Sequence, residues 1–306
     1  MKATKIIYAV TILMLLSNSC ETPISITLPY SQNVKVIEGW IENDQYPIVV
    51  VSNSMSYYST IDMETILSSV DTAAIVRISD DMGNTEQLQR KHTLEHLFGA
   101  LGLLQQNPLV YVGEQIKGIP GHTYTLYVES KGNIYTSQTT IPLNTVEIDS
   151  FALQTLFNDT MATLRIYFTD PAQSYDCYRF FLKLKDLDIV YSQIFTGTFD
   201  DLTFNGLTGS YEMLRSPMSN LSIPGMSQQQ REDYYRSTFR PGDIIYIKST
   251  LTDKATKEYW FPLQTDISMG MNPFLTPGTY PTNIEGENIT GIWSGYNARY
   301  DTVEYK

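Results

Sequence analysis

The chain has 306 residues, 42% of them hydrophobic, and a formal net charge of −12 at neutral pH. That apolar content excludes a disordered chain, and the length suits two domains better than one. An acidic sequence without a Lys/Arg run excludes nucleic acid and electrostatic docking on anionic lipid as partners.

The chain opens with Lys2 and Lys5, an apolar or weakly polar run from Ile6 to Leu16, then Ser17-Asn18-Ser19 before Cys20. Charged, apolar and small-residue regions in that order form a secretory signal, and the run is shorter than the ~20 residues a bilayer span needs. A cysteine at the cleavage point predicts a lipid-anchored product. Signal peptides of bacterial lipoproteins end this way, with the cysteine acylated as the new N-terminus, although Ser17 stands where they usually carry Leu. Residues 1–19 are the expected signal peptide and 20–33 a lipidated tether. Cleavage removes two lysines and no acid, leaving a charge of about −14, so attachment must come from acyl chains. With Cys20 consumed, Cys177 has no partner for a disulfide and reads as a small core residue of the run CYRFFLKLK.

Strand signals follow. Val34 to Ile41 and Ile48 to Val51 are β-branched runs separated by the turn residues Asn43-Asp44 and Pro47. Ala74 to Ser79 is stopped by Asp80-Asp81-Met82-Gly83-Asn84. Thr123 to Ile141 alternates on both sides of Lys131-Gly132-Asn133 and predicts a hairpin with a three-residue connection. Pro142 closes it, and Ile148-Asp149-Ser150 reads as passage to a second domain. Leu164 to Phe168, Tyr178 to Leu184 and Asp243 to Leu251 are further strands. Asp253 is an N-cap candidate for a helix over 254–267, with Tyr259, Trp260, Leu263 and Ile267 on one face and Gly270 and Pro273 stopping it. Gln228 to Ser237 suits a shorter polar helix, and Gly291 to Tyr305 is aromatic-rich and strand-like. The abundance of aromatic and β-branched residues agrees with a mainly β fold. The expectation is two β-sandwich-like domains: an immunoglobulin-like one over 34–145, and a mainly β one over 146–306 carrying the helix.

Several stretches resemble one family. They are the leader, VIEGWI (36–41), GHTYTLYVESKGNIYTSQTTIP (121–142), IDSF (148–151), FTDPAQSYDCYRFF (168–181), FDDLTFNG (199–206), RPGDIIYI (240–247) and TNIEGENITGIWSGY (282–296). In that order they are similar to the Bacteroidota lipoproteins of domain of unknown function 4249, over nearly the whole mature chain. The resemblance implies an outer-membrane lipoprotein that works beside a TonB-dependent transporter in nutrient capture, with no established catalytic residue to carry over. Members exported to the surface often show several acids after the cysteine. Here Glu21 stands alone, so the leaflet stays open.

No catalytic residue, cofactor or metal is assigned from the residues themselves. His92-Thr93-Leu94-Glu95-His96 matches H-x-x-E-H, in which two histidines one helical turn apart hold zinc and the glutamate acts as base. This gives an alternative reading, a zinc-dependent surface hydrolase, set against a plain loop or short helix packing Leu94, Leu97 and Phe98. A structural or adhesion role in the envelope is a third reading. Asp80-Asp81 and Asp200-Asp201 offer calcium-type oxygens without a loop of spaced acids. Asp80-Asp81 reads as turn chemistry, and Asp200-Asp201 as a shared motif of unknown role. Trp293-Ser294-Gly295 only partly echoes G-x-S-x-G, and burial disfavours Cys177 as a nucleophile. Asp71-Thr72-Ala73, Asp159-Thr160-Met161 and Asp301-Thr302-Val303 fit the Bacteroidota O-glycosylation pattern. Tyr280, Trp293, Tyr296 and Tyr300 are the candidate binding surface, set against a reading as core strand residues.

Overall fold

The computed structural model describes residues 34–55, 65, 68–92, 109–156, 161–188, 191–215, 227–228, 232, 236–268 and 280–306. Residues 33–306 form one compact unit. The fold is mainly β and sandwich-like. Its central layer is an eight-stranded sheet built from β1 (Lys35–Glu42), β2 (Ile48–Asn53), β5 (Gln89–His92), β6 (Leu109–Val112), β11 (Cys177–Leu184), β12 (Ser192–Asp200), β14 (Ile244–Thr252) and β15 (Ile289–Glu304), in the order β12-β11-β14-β15-β1-β2-β6-β5. A four-stranded sheet, ordered β4-β3-β7-β8, combines β3 (Ile75–Asp80), β4 (Thr85–Gln87), β7 (Thr123–Ser130) and β8 (Asn133–Thr140). A three-stranded sheet, ordered β13-β10-β9, combines β9 (Ile148–Thr155), β10 (Ala162–Thr169) and β13 (Thr208–Met213).

Two cores follow from this layering. Ile37, Ile41, Val49 and Val51 meet Val76, Ile78, Leu126 and Val128 across the four-stranded sheet. Leu164, Ile166 and Phe168 meet Tyr178, Phe180, Ile245 and Ile247 across the three-stranded one. Alternation along β15 places Trp293, Val303 and Tyr305 on one face of the long sheet, so both small sheets cover that face. The opposite face takes the helix α1 (Lys254–Ser268), whose Tyr259 and Trp260 pack on Ile292. β11 is accordingly buried on both faces along nearly its whole length, Arg179 included, with Lys183 alone only partly buried.

β15 joins the two cores. Its first half pairs parallel with β1, from Lys35↔Ile289 to Glu42↔Tyr296, and its second half antiparallel with β14, from Thr252↔Tyr296 to Ile244↔Glu304. Where β14 is absent, the Asn283 side chain substitutes for a strand, accepting from Trp293 N at 3.0 Å and donating to Trp293 O at 2.8 Å. Trp293 is fully buried in the first core, its indole N–H donating to the Tyr124 carbonyl at 3.0 Å. Segment 280–306, expected wholly in a second domain, thus supplies Ile284 and Trp293 to the first core. The chain passes from the first core to the second near residue 145, and there the buried Asn297 side chain donates to the carbonyls of Pro142, Leu143 and Asn144.

Local expectations have mixed outcomes. The hairpin forms, but Ser130 pairs with Asn133, so the connection is two residues. Lys131 and Gly132 both have positive φ, 51° and 83°, the pattern of a type I′ turn. Asp253 caps α1 by accepting from Thr256 N at 2.8 Å, and the helix tolerates Pro262 in its interior. Ile148-Asp149-Ser150, read as a passage, opens strand β9. Gln228 and Glu232 are helical while 236 and 237 are not; the intervening residues of the second expected helix lie outside the described residues, as do Gly270 and Pro273. No helix among the described residues is long and apolar enough to cross a membrane.

The parallel seam depends on Gly291. Its φ is +125°, and a Cβ there would lie 1.9 Å from the Ile37 carbonyl oxygen. Gly291→Ala is expected to cost about 3 kcal/mol or more in urea unfolding, whereas Gly83→Ala, with φ +90° and open space around it, should cost about 1 kcal/mol.

Candidate functional site

A polar cleft of about 550 Å³ opens beside the first core. The start of β1, the β7–β8 turn and the residues entering β15 form its walls, bringing Lys35, Ser130, Lys131, Asn133, Tyr135, Glu287 and Asn288 together with Asn53, Ser54, Ser68 and Ser69. At its base lies a buried ion pair. Lys35 Nζ donates to Asp71 Oδ2 at 2.8 Å, and the two side chains are only 7% and 5% exposed. Ser130 Oγ donates to the same oxygen at 2.5 Å, and Ala73 N to Oδ1 at 3.0 Å. Burial opposes ionisation of Asp71, but the hydrogen bonds from Lys35, Ser130 and Ala73 outweigh it and hold the carboxyl down to about 2. The pair is a rigid floor, and the hydroxyl and amide groups above it suit hydrogen-bonded recognition of a small polar molecule.

A second polar assembly lies under α1 on the other face of the long sheet. Arg179 is fully buried. Its Nη1 donates to Tyr296 Oη and its Nη2 to Gln193 Oε1, each at 2.5 Å, while the guanidinium stacks 3.9 Å from the Trp260 ring centroid. Burial pushes the Glu38 carboxyl up, against the hydrogen bond from Tyr259 and the field of Arg179. With Thr256 donating to Ser294 at 2.9 Å, these contacts hold α1 to the sheet.

Three buried carboxylates, Asp170, Asp176 and Asp201, converge at the end of the second core, with one oxygen of each within 4.8 Å of the others. The β11–β12 register explains the meeting. Cys177 pairs with Asp200 as the last rung of the hairpin, so the next residues outward face each other. Asp176 N donates to Asp201 Oδ2 at 3.0 Å, and Asp201 N to Asp176 O at 3.1 Å. Asp170, just after β10, accepts from Tyr178 Oη and from Gly206 N at 2.9 Å. Burial, then the neighbouring carboxylates, raise the Asp176 and Asp201 carboxyls despite the hydrogen bonds they accept. Asp200 turns elsewhere, pairing with Lys257 at 2.7 Å.

The expected binding surface does not assemble. Trp293 and Tyr296 are buried, 0% and 3% exposed, and cannot face a ligand. Tyr280 is partly exposed and donates to Asp266 at 2.7 Å, and Tyr300 is half-exposed with its hydroxyl on Glu42. The first half of β15 alternates between two covered faces, so Trp293 and Tyr296 became core. His92 ends strand β5, while Glu95 and His96 lie outside the described residues, as does Cys20. Cys177 is free and buried, and burial pushes its thiol up to about 12, which suits a core residue rather than a nucleophile. Asp71 is committed to Lys35, with Thr72 exposed beside it; Thr302 is also exposed, and Asp159-Thr160 lies outside the described residues. Asp80-Asp81 is turn chemistry: Asp80 caps Met82 and Asn84, and Asp81 pairs with His122 at 2.7 Å. Asp170 and Asp176 escaped sequence reading because their partners are 31 and 25 residues away at Asp201, a separation that only strand register closes.

Compared with protein-family models and with curated proteins, the chain matches none.

The Asp71 carboxyl, held below its unfolded value near 3.9, contributes stability in full above that value and loses it as pH falls towards 2. Urea midpoints from pH 5 to 2 should show this component, worth about 2 kcal/mol, and its disappearance from the acid limb of Asp71→Asn. At pH 7 the variant should lose about 3–5 kcal/mol, because Lys35 is left buried and unpaired.

Proposed function

We propose that this protein is a lipid-anchored outer-membrane lipoprotein of the domain-of-unknown-function 4249 kind, acting without catalysis as a binding accessory of a TonB-dependent transporter. The observation that carries the reading is the leader ending in Ser17-Asn18-Ser19-Cys20. An acidic chain needs such an anchor, since charge cannot hold it to anionic lipid. The resemblance of the quoted segments supplies the transporter as partner. The mainly β scaffold and the polar cleft at Lys35, Ser130 and Asn288 agree with a recognition role, although sandwich folds host many functions and the fold itself chooses none.

Growth with radiolabelled palmitate should label the wild-type protein and leave Cys20→Ala unlabelled and in the soluble fraction. Affinity purification from detergent-solubilised outer membranes should then recover a TonB-dependent transporter with the wild-type chain. Label on Cys20→Ala would remove the anchor. Recovery of the wild type with no transporter, under conditions that preserve other such complexes, would remove the partner.

A further inference from the structure

We propose that Asp170, Asp176 and Asp201 form a binding site for one calcium ion, which ties the β11–β12 hairpin to the end of β10. The first argument is the contrast with the other buried acids among the described residues. Glu42 is paired with Lys248 and Asp71 with Lys35. Glu86 accepts three backbone N–H groups, from Glu114, Gln115 and Ile116. The three converging carboxylates instead have hydrogen bonds from one tyrosine, one serine and two backbone amides, and no ion pair with Lys, Arg or His among the described residues. Three acids this deeply buried carry a desolvation cost that hydrogen bonds of this number do not offset.

The second argument is an orphaned atom. Asp201 is 0% exposed, and its Oδ1 has no hydrogen-bond partner among the described residues while Oδ2 is occupied by Asp176 N. A buried carboxylate oxygen left bare is costly, and an ion within the cluster satisfies it.

The spacing admits a single ion, and donor chemistry selects which. Two oxygens on opposite sides of a calcium at ~2.4 Å are ~4.8 Å apart at most, and the three donor atoms fall within 4.8 Å of one another. All the donors are hard oxygens, without the imidazole or thiolate that zinc prefers. Magnesium keeps several waters in an octahedron, which suits a buried, protein-enclosed cluster less well than calcium. Oxygens that already accept one hydrogen bond retain a second lone pair for the metal.

The full chain in detergent, stripped with EGTA and dialysed, provides the test. Calorimetric titration with calcium should give one site per chain, and Tm should rise by about 3–5 °C at calcium one-hundredfold above its Kd. Asp201→Asn keeps an acceptor for Asp176 N, removes one negative charge and should abolish both responses; its calcium-free Tm should equal or exceed that of the stripped wild type. Asp176→Asn is the second variant should the first misfold. Asp200→Asn, which breaks the neighbouring Lys257 pair, should retain the calcium response. No calcium uptake at millimolar concentration, uptake of magnesium in place of calcium, or calcium binding unchanged in both cluster variants would each overturn the proposal.

Discussion

The structure depends on the register of β15. Tyr296 is the hinge of that register, paired with Glu42 of β1 on one side and Thr252 of β14 on the other. Residues before it complete the first core and residues after it complete the second. Neither core closes until the last segment of the chain lies against the first, because β1 and β15 are separated by about 250 residues of sequence. Such a contact must offset a large loop-closure entropy, and it places this protein among slow, high-contact-order folders. The close approach at Gly291 and the Asn283 side chain acting as a surrogate strand are local devices serving the same register.

Charge is handled differently in different parts of the molecule. The Lys35–Asp71 pair sits where β1 begins, joined by Ser130 from the β7–β8 turn and by Tyr111, whose hydroxyl donates to the Asp71 carbonyl at 2.9 Å. It therefore locks four chain segments under the polar cleft. Arg215 and Asp188 form a comparable buried pair at the edge of the second core, and Arg236 and Asp243 another beside it. Removing one member of a buried pair leaves the other uncompensated, so these contacts specify position more than they add stability. The carboxylate triad departs from the pattern, and its excess negative charge is the physical reason to look for a cation there.

Local pattern made some of this legible. Alternation in TYTLYVE and in the residues after Gly132 specifies two paired strands, and Asp253 before Lys254 specifies a helix start, because both signals act over a few residues. The same reasoning failed for β9, where Phe151, Ala152, Leu153 and Gln154 are all only partly buried and give no clean alternation. It also failed for β12 and β13, whose Gly, Thr and Ser content resembles loop. The turn at Lys131 was placed one residue too long because a lysine at positive φ is not written in composition. The aromatic tail misled for a different reason. The first half of β15, covered on both faces, buries Trp293 and Tyr296 while Tyr300 beyond it stays half-exposed, and nothing in Tyr296 or Trp293 alone announces that second covering layer.

The two polar sites have different physical jobs because of where the register puts them. The cleft at Lys35 and Asn288 is set at the first residues of β1 and β15, open to solvent and rich in rotatable donors and acceptors, which is the chemistry of recognition. The triad belongs to the ends of β10, β11 and β12 and is buried, with β11 and β12 beyond β14 in the order of the long sheet. An ion there touches no cleft residue and acts on the second sandwich alone, fixing the loop before β11 to the loop after β12.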